Sequence, residues 1–352
     1  MAWSLPDRYI WDFWFAEKNG ENHVFFLQAN KEHCKFDPQQ RHDLASLGHA
    51  VQNNRGWQLL SPDPAFSKSR SGAWDDLSIW SGSIIKDPKS AYYYLFYTSR
   101  CSKHSRYWTP KEWQYPQHIG IARSENLSSW RRLEQGLYKP LIPNPVTDTR
   151  FDHINWRDPY VIYHNDRYHC FITARRRKPN GTIHPDGDGV IAHLSSTNIE
   201  RWSGSDIHIF HHSQEFYQME VPQVFWRSTK SGKRLYLIFS AEESDCSSHR
   251  RKLTSLAQCR TGSYYMFSHE VAIDYKGWPP LREPAHLLAP NLFAGKILNP
   301  ETQSQPELFG FPVVDQKGQF AGGIENYGRV NFLDSGLINI DRKQNSMPHA
   351  AL

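Results

Sequence analysis

Three carboxylic acids in this chain of 352 residues sit where a strand should be apolar. Asp12 lies inside Tyr9-Ile10-Trp11-Asp12-Phe13-Trp14-Phe15, Asp158 inside Trp156-Arg157-Asp158-Pro159, and Glu220 opens Glu220-Val221-Pro222. An ionised carboxylate among apolar neighbours costs several kcal/mol unless it is compensated. Each acid is therefore either an outward residue of an alternating strand or a group kept for chemistry. If the three converge, repulsion and desolvation raise at least one pKa, leaving an ionised carboxylate beside a protonated carboxylic acid. Glycoside hydrolysis uses that pair. A third acid can hold sugar hydroxyls and stabilise oxocarbenium charge, and aromatic walls suit the apolar face of a sugar ring.

A repeat would bring such distant residues together. Apolar strands recur as HVFFLQA (23–29), YYYLFYTS (92–99), RYHCFITA (167–174) and RLYLIFSA (234–241). Each follows a strand with a polar or acidic opening: WDFWFA (11–16), WSGSII (80–85), RDPYVI (157–162) and EVPQVF (220–225). The first three are followed by a stretch closing on tryptophan: GHAVQNNRGW (48–57), GIARSENLSSW (120–130) and GVIAHLSSTNIERW (189–202). Asn19-Gly20 and Asn165-Asp166 supply hairpin turns. A fifth unit fits roughly into 270–335, around PELFGFPVVDQKGQFAGGIENYG (306–328). Radial repeats of this kind make a β-propeller. The expectation is an all-β, single-domain, five-bladed β-propeller over residues 1–340, with a flexible tail at 341–352 and a central active-site channel. Asp12 precedes Phe25 by 13 residues and Asp158 precedes Phe171 by 13, so both open inner strands at matching places. A two-sheet sandwich stays open as an alternative; a parallel barrel would need an amphipathic helix after every strand, and none is present.

Composition narrows the function. Aromatic residues make up 14% of the chain, which suits strands and sugar-facing walls alike. The net charge of +5 is small, and the run Arg175-Arg176-Arg177-Lys178 is too short for a nucleic-acid surface. No apolar stretch is long enough to span a membrane, and the N-terminus lacks the n- and h-regions of a signal peptide. Cys34, Cys101, Cys170, Cys246 and Cys259 are odd in number and widely spaced, which suits a reducing, cytoplasmic location. Gly187-Asp188-Gly189 follows a loop rather than a strand, and His211-His212 lacks ligand partners at metal spacing, so no cofactor or metal is expected. Oligomeric state is left open.

The ordered series Trp11-Asp12-x-Trp14, Trp80-Ser81-Gly82-Ser83, Trp156-Arg157-Asp158-Pro159 and Glu220-Val221-Pro222 resembles the fructan- and sucrose-acting enzymes of glycoside hydrolase families 32 and 68. The first motif is similar to family 68, the last to the Glu-Cys-Pro of family 32 with Val221 in place of Cys. The family 68 acid/base motif and the C-terminal β-sandwich of family 32 are both missing from the pattern. The resemblance implies that Asp12 attacks the anomeric carbon, Glu220 is the acid/base, and Asp158 accepts hydrogen bonds from ring hydroxyls. It also implies that Arg157 holds the sugar and keeps neighbouring carboxylates ionised, and that Trp11, Trp80 and Ser81 wall the pocket with Gln28 beside them. The substrate would be a small-molecule carbohydrate, a β-fructofuranoside such as sucrose, cleaved with retention, with fructosyl transfer as a further activity. An inverting arabinoside-type propeller and a non-catalytic carbohydrate-binding propeller are the alternatives. Taken singly, Asp12 also fits an exposed strand position, Arg157-Asp158-Pro159 a turn with a local ion pair, and Glu215 contests the role of Glu220.

Overall fold

The computed structural model describes residues 2–102, 115–177 and 187–342. Each of its five sheets is an antiparallel four-stranded meander cut from one continuous stretch of chain. The first comprises β1 (Arg8–Lys18), β2 (Glu21–Asn30), β3 (Ser46–Asn53) and β4 (Gly56–Leu59), and the second β5 (Ser78–Lys86), β6 (Tyr93–Arg100), β7 (Gln117–Ser124) and β8 (Arg131–Arg132). The third holds β9 (Phe151–His164), β10 (Arg167–Arg176), β11 (Gly189–Ser196) and β12 (His208–Ser213). The fourth holds β13 (Glu220–Ser228), β14 (Lys233–Ala241), β15 (Gly262–Phe267) and β16 (His286–Pro290), with one short helix, α1 (Ser248–Leu253), before β15. The fifth is β17 (Leu292–Ile297), β18 (Glu307–Pro312), β19 (Glu325–Phe332) and β20 (Ile338–Arg342). First strands pack on one another around a ring, β1 on β5, β5 on β9, β9 on β13, β13 on β17 and β17 back on β1. The molecule is a five-bladed β-propeller, and the described residues hold no β-sandwich.

The strand alternation explains the ring. On β6, Leu95 and Tyr97 pack toward the first blade while Tyr94 and Phe96 pack toward the third, so both faces of the strand are buried and it reads as a continuous apolar run. Five apolar clusters result, each spanning a junction between blades. The Asn19-Gly20 and Asn165-Asp166 turns are two-residue hairpins with both φ positive, 54° and 81° in the first and 48° and 60° in the second. Trp57 stacks on Phe15, Trp130 packs edge-on to Phe25, and Trp202 edge-on to Phe96, so all three are packing residues.

Three details differ from the sequence reading. Each blade has a fourth, outer strand that the three-strand unit lacks; these are two to six residues long and mostly solvent-facing, too short to show a period. Trp130 and Trp202 follow their third strands rather than closing them, and Trp57 belongs to β4. The fifth inner strand, Leu292–Ile297, has no acidic opening; it lies within the expected 270–335 but ahead of the 306–328 segment that marked the blade. The last strand runs through Arg342, so the first two residues of the tail expected at 341–352 belong to it; the rest of that tail lies outside the described residues, as do Lys178, Pro185 and Asp186.

Among the described residues no strand is exchanged between first and last blades. Their seam is closed by the Trp3–Ile324 pair, with two backbone hydrogen bonds of 2.8 Å, by the Gly323 amide on the Ile10 carbonyl at 2.8 Å, and by an apolar cluster joining Ile10 and Phe13 to Phe309 and Ile324. Blades one and three share a further device. His23 meets His49, and His169 meets His193, each Nδ1 to Nε2 at 2.9 Å, with Phe25 and Phe171 stacked on the second imidazole. Among the described residues no helix is long and apolar enough to cross a membrane.

Candidate active site

Every inner strand breaks its register against its neighbour at the same level of the ring. The irregularity falls at Asp12 in β1, Ser81 in β5, Asp158-Pro159 in β9, Val221-Pro222 in β13 and Ala294-Gly295 in β17. An extra residue on one strand bends it and re-aims its side chains; five bulges at one level turn five chain segments toward the axis. Asp158, Val221 and Ala294 hold φ of 59°, 50° and 51°, in the left-handed region that a β-branched residue rarely enters. Gly82 and Gly295 beside the bulges allow the approach, since a Cβ would collide with the Phe96 carbonyl at one and with the Ser263 hydroxyl at the other.

A chain of hydrogen bonds links the bulges. The Ser81 hydroxyl donates to Asp12 Oδ2. Thr98 Oγ1 donates to the Ser81 carbonyl at 2.8 Å and accepts from the Asp158 amide at 2.7 Å. Asp158 Oδ2 accepts from the Val221 amide at 3.0 Å, and the Val221 carbonyl accepts from Lys296 Nζ at 2.6 Å. The belt touches all five blades.

Above it opens a cavity of about 1040 Å³, lined by Asp12, Asp158 and Glu220 together with Trp11, Trp80, Ser81 and Arg157. The structure therefore gathers every expected catalytic residue and all but one of the expected sugar contacts. Gln28 is the exception. It is 2% exposed, its Oε1 accepts from Arg8 NH1 at 2.9 Å, and it does not line the cavity. The alternation of β2 turns Leu27 inward instead.

Burial, reinforced by the Asp158 charge, pushes the Asp12 carboxyl up to about 7, against the pull of the Ser81 hydroxyl and the Arg41 cation. Asp158 is also raised by burial, with Arg157 opposing and Glu220 adding to the shift. Arg157 joins the acids: one NH2 donates to Glu220 Oε1 and to Gln218, NH1 donates to Asn155 Oδ1 at 2.6 Å, and Nε lies 3.7 Å from Asp158 Oδ2. Burial and mutual repulsion thus raise Asp12 and Asp158 together, while the Arg157 guanidinium sits on Glu220. Glu215 is excluded from the chemistry. It is fully buried, paired with Arg250, and accepts from the Ala285 amide at 2.8 Å, away from the cavity.

Several residues at the site carry no motif in the sequence. Arg41, from a 3-10 turn at Pro38–His42, lies 4.2 Å from the Phe320 ring centroid and 5.5 Å from that of Trp11; burial lowers it to about 10. His42 is held neutral by burial and by Arg41, and its carbonyl accepts from Trp80 Nε1 at 2.8 Å. Glu242 lines the cavity, and Asp245 behind it is raised to about 7 by burial and by Glu220. Their one signal was the acidic run Glu242-Glu243-Ser244-Asp245 directly after a strand. Lys296 had none. Arg175, from the basic run, is buried against the Tyr217 ring and offers no anion site. His212 is half-buried on Asp188 at 2.6 Å rather than free at the surface, and no described cluster of His, Cys, Asp and Glu could hold a metal.

Comparison with solved structures places this architecture among known propellers. The Bombyx mori GH32 beta-fructofuranosidase BmSUC1 is similar with a TM-score of 0.63 at 14% identity, covering 97% of this chain and 65% of that one. Bacillus subtilis levansucrase gives 0.64 at 13% identity, with 96% and 86% covered. The B. megaterium levansucrase mutant D257A gives 0.64 at 13%, again with 96% and 86% covered. This chain thus spans just under two thirds of the silkworm enzyme's length. Comparison with curated protein sequences gives no match. The profile of the Glycosyl hydrolases family 32 N-terminal domain matches residues 15–277, beginning just after Asp12 and ending before Lys296. By that match over most of its length, the chain belongs to glycosyl hydrolase family 32.

Proposed function

We propose that this protein is a retaining glycosidase of β-fructofuranosides, with sucrose as its simplest substrate and fructosyl transfer to a sugar hydroxyl as a second outcome. The observation that carries the reading is the meeting of Asp12, Asp158 and Glu220, from three blades, in one cavity with Arg157 between two of them. In this reading Asp12 attacks the anomeric carbon as the glycosidic bond breaks, and Glu220 gives its proton to the departing oxygen. The same Glu220 then takes a proton from water or an acceptor hydroxyl, which displaces Asp12 and releases the sugar. Asp158, fixed by the Val221 amide, accepts hydrogen bonds from ring hydroxyls as positive charge develops. Arg157 must shift from Glu220 toward the sugar for Glu220 to carry a proton.

The similar structures include the silkworm fructofuranosidase mutant in complex with sucrose and a B. subtilis levansucrase variant in complex with oligosaccharides, which supports the substrate class. Five buried cysteines, none of them in a disulfide, support a reducing compartment, the cytoplasm.

The test is incubation with sucrose, sucrose phosphate, raffinose, inulin and arabinosides, with the first-released anomer followed by NMR. Cleavage of sucrose with retention is expected. Inversion, or activity on arabinosides alone, would replace this reading, and binding without cleavage would make the protein a sugar-binding propeller.

A further inference from the structure

Lys296 is 2% exposed at the hollow of the ring, at the bulge of β17. Its Nζ donates to the Val221 carbonyl at 2.6 Å and to the Pro222 carbonyl at 2.9 Å, and lies 5.5 Å from the Tyr160 ring centroid. Burying an amine is costly, and burial pulls this one down to about 7, against the attraction of Asp158 and Asp12. Two carbonyls at a channel could be satisfied by water at lower cost, so the choice of lysine calls for a reason beyond satisfying them.

The backbone it holds supplies one. Val221 follows Glu220 directly and keeps φ at 50°, a strained conformation for a β-branched residue that persists only where its surroundings over-determine it. Asp158 holds the amide of Val221, and Lys296 holds the carbonyls of Val221 and of its neighbour. The turn is clamped from both sides, and the clamp joins the second and third acids.

We infer that Lys296 is a positioning residue of the reaction proposed above, on which the inference rests. It fixes the Glu220-Val221-Pro222 turn through two carbonyls and, by its charge, keeps Asp158 able to accept sugar hydroxyls. The charged groups around it are Asp12 on β1 and Asp158 on β9, with Arg157 and Glu220 acting in turn on Asp158.

Two variants test this in the full chain, Lys296→Met, which removes donors and charge, and Lys296→Gln, which keeps a donor without charge. Lys296→Met should lower kcat by about 10–100-fold with KM within about threefold, because Lys296 does not line the cavity and touches no sugar itself. Lys296→Gln should recover part of that loss. In both, the Asp158 carboxyl, followed by NMR in ¹³C-aspartate-labelled protein and assigned with Asp158→Asn, should titrate about one unit higher. A role in stability alone would leave kcat unchanged in the folded variants even if that titration moves. Folded variants with unchanged kcat and an unmoved Asp158 would overturn the inference, and so would failure of both to fold, which would assign Lys296 to stability. If the wild-type protein cleaves no fructoside, the functional reading falls and the catalytic role of Lys296 with it, while the Asp158 titration still tests whether the Lys296 charge acts on Asp158.

Discussion

The amide of Val221 donates to the carboxylate of Asp158 at 3.0 Å across 63 residues of sequence. Each partner has a left-handed backbone, and each belongs to a bulge of a different blade. One contact therefore fixes the acid proposed to hold the sugar and the residue that follows the proposed acid/base. Strain at one bulge is held by the next, which is how a ring of ordinary antiparallel sheets turns its acids toward one cavity.

Removing either reacting acid should abolish activity without harming the fold. Asp12→Asn and Glu220→Gln are expected to lower kcat on sucrose by at least about 10³-fold. Asp12→Asn should also melt at or above the wild-type temperature at pH 7.5, since its raised carboxyl is ionised there at a cost to the folded state. Activity assays beside thermal unfolding check both; a fully active variant would discard the assignment.

The pH profile should carry the mark of Asp12. It must be ionised to attack, and its carboxyl is raised to about 7, so kcat/KM should climb as pH rises through that value. The Ser81 hydroxyl pulls Asp12 downward, so Ser81→Ala should move the acid limb up by about one unit. An unmoved limb in a folded Ser81→Ala protein would separate Ser81 from the nucleophile.

Glu215 and Glu220 lie close in sequence and should behave oppositely. Glu215→Ala leaves Arg250 buried without its partner and should cost about 3–5 kcal/mol in chemical denaturation. Glu220→Ala, at the cavity, should leave stability nearly unchanged and remove activity. Equal destabilisation by the two would contradict their different settings.

The paired histidines should make the propeller acid-labile. Burial lowers His49 and His193 to about 3 and His169 to about 4, and also lowers His23. Because the folded pKa values lie below the unfolded one, the unfolded chain binds more protons in acid. The associated stability is present above about pH 6.5 and is lost as pH falls toward 4. His193→Gln should make the fall between pH 6 and 5 shallower by up to about 1.4 kcal/mol per unit, read from urea unfolding midpoints.

Much of this was legible in the chain. The runs around Phe25, Tyr97 and Phe171 betray strands buried on both faces, and Asp12 and Asp158 betray themselves as acids in apolar settings at matching distances from those runs. Hairpin chemistry at Asn19-Gly20 set the register of the first blade. What stayed hidden has no local pattern. The edge strand Arg131–Arg132 is too short to show one, and Gln28 misled because a strand's end does not reveal which face points inward. Lys296 sits in Leu292–Ile297, where a lone basic residue reads as a surface position until the ring closes over it. Arg41 reaches the cavity from a turn between strands, a position that only the folded loop defines.

The junction between first and last blades deserves a mechanical reading. Four of the five joints are spanned by a covalent connection, whereas this one relies on the Trp3–Ile324 pair and its apolar neighbours. Warming should gape the circle there first, drawing Asp12 away from the fifth blade while the individual sheets remain intact. The protein would then fall silent below its melting temperature, and hydrogen exchange at Ile324 would report the gap before any other part of the circle gave way.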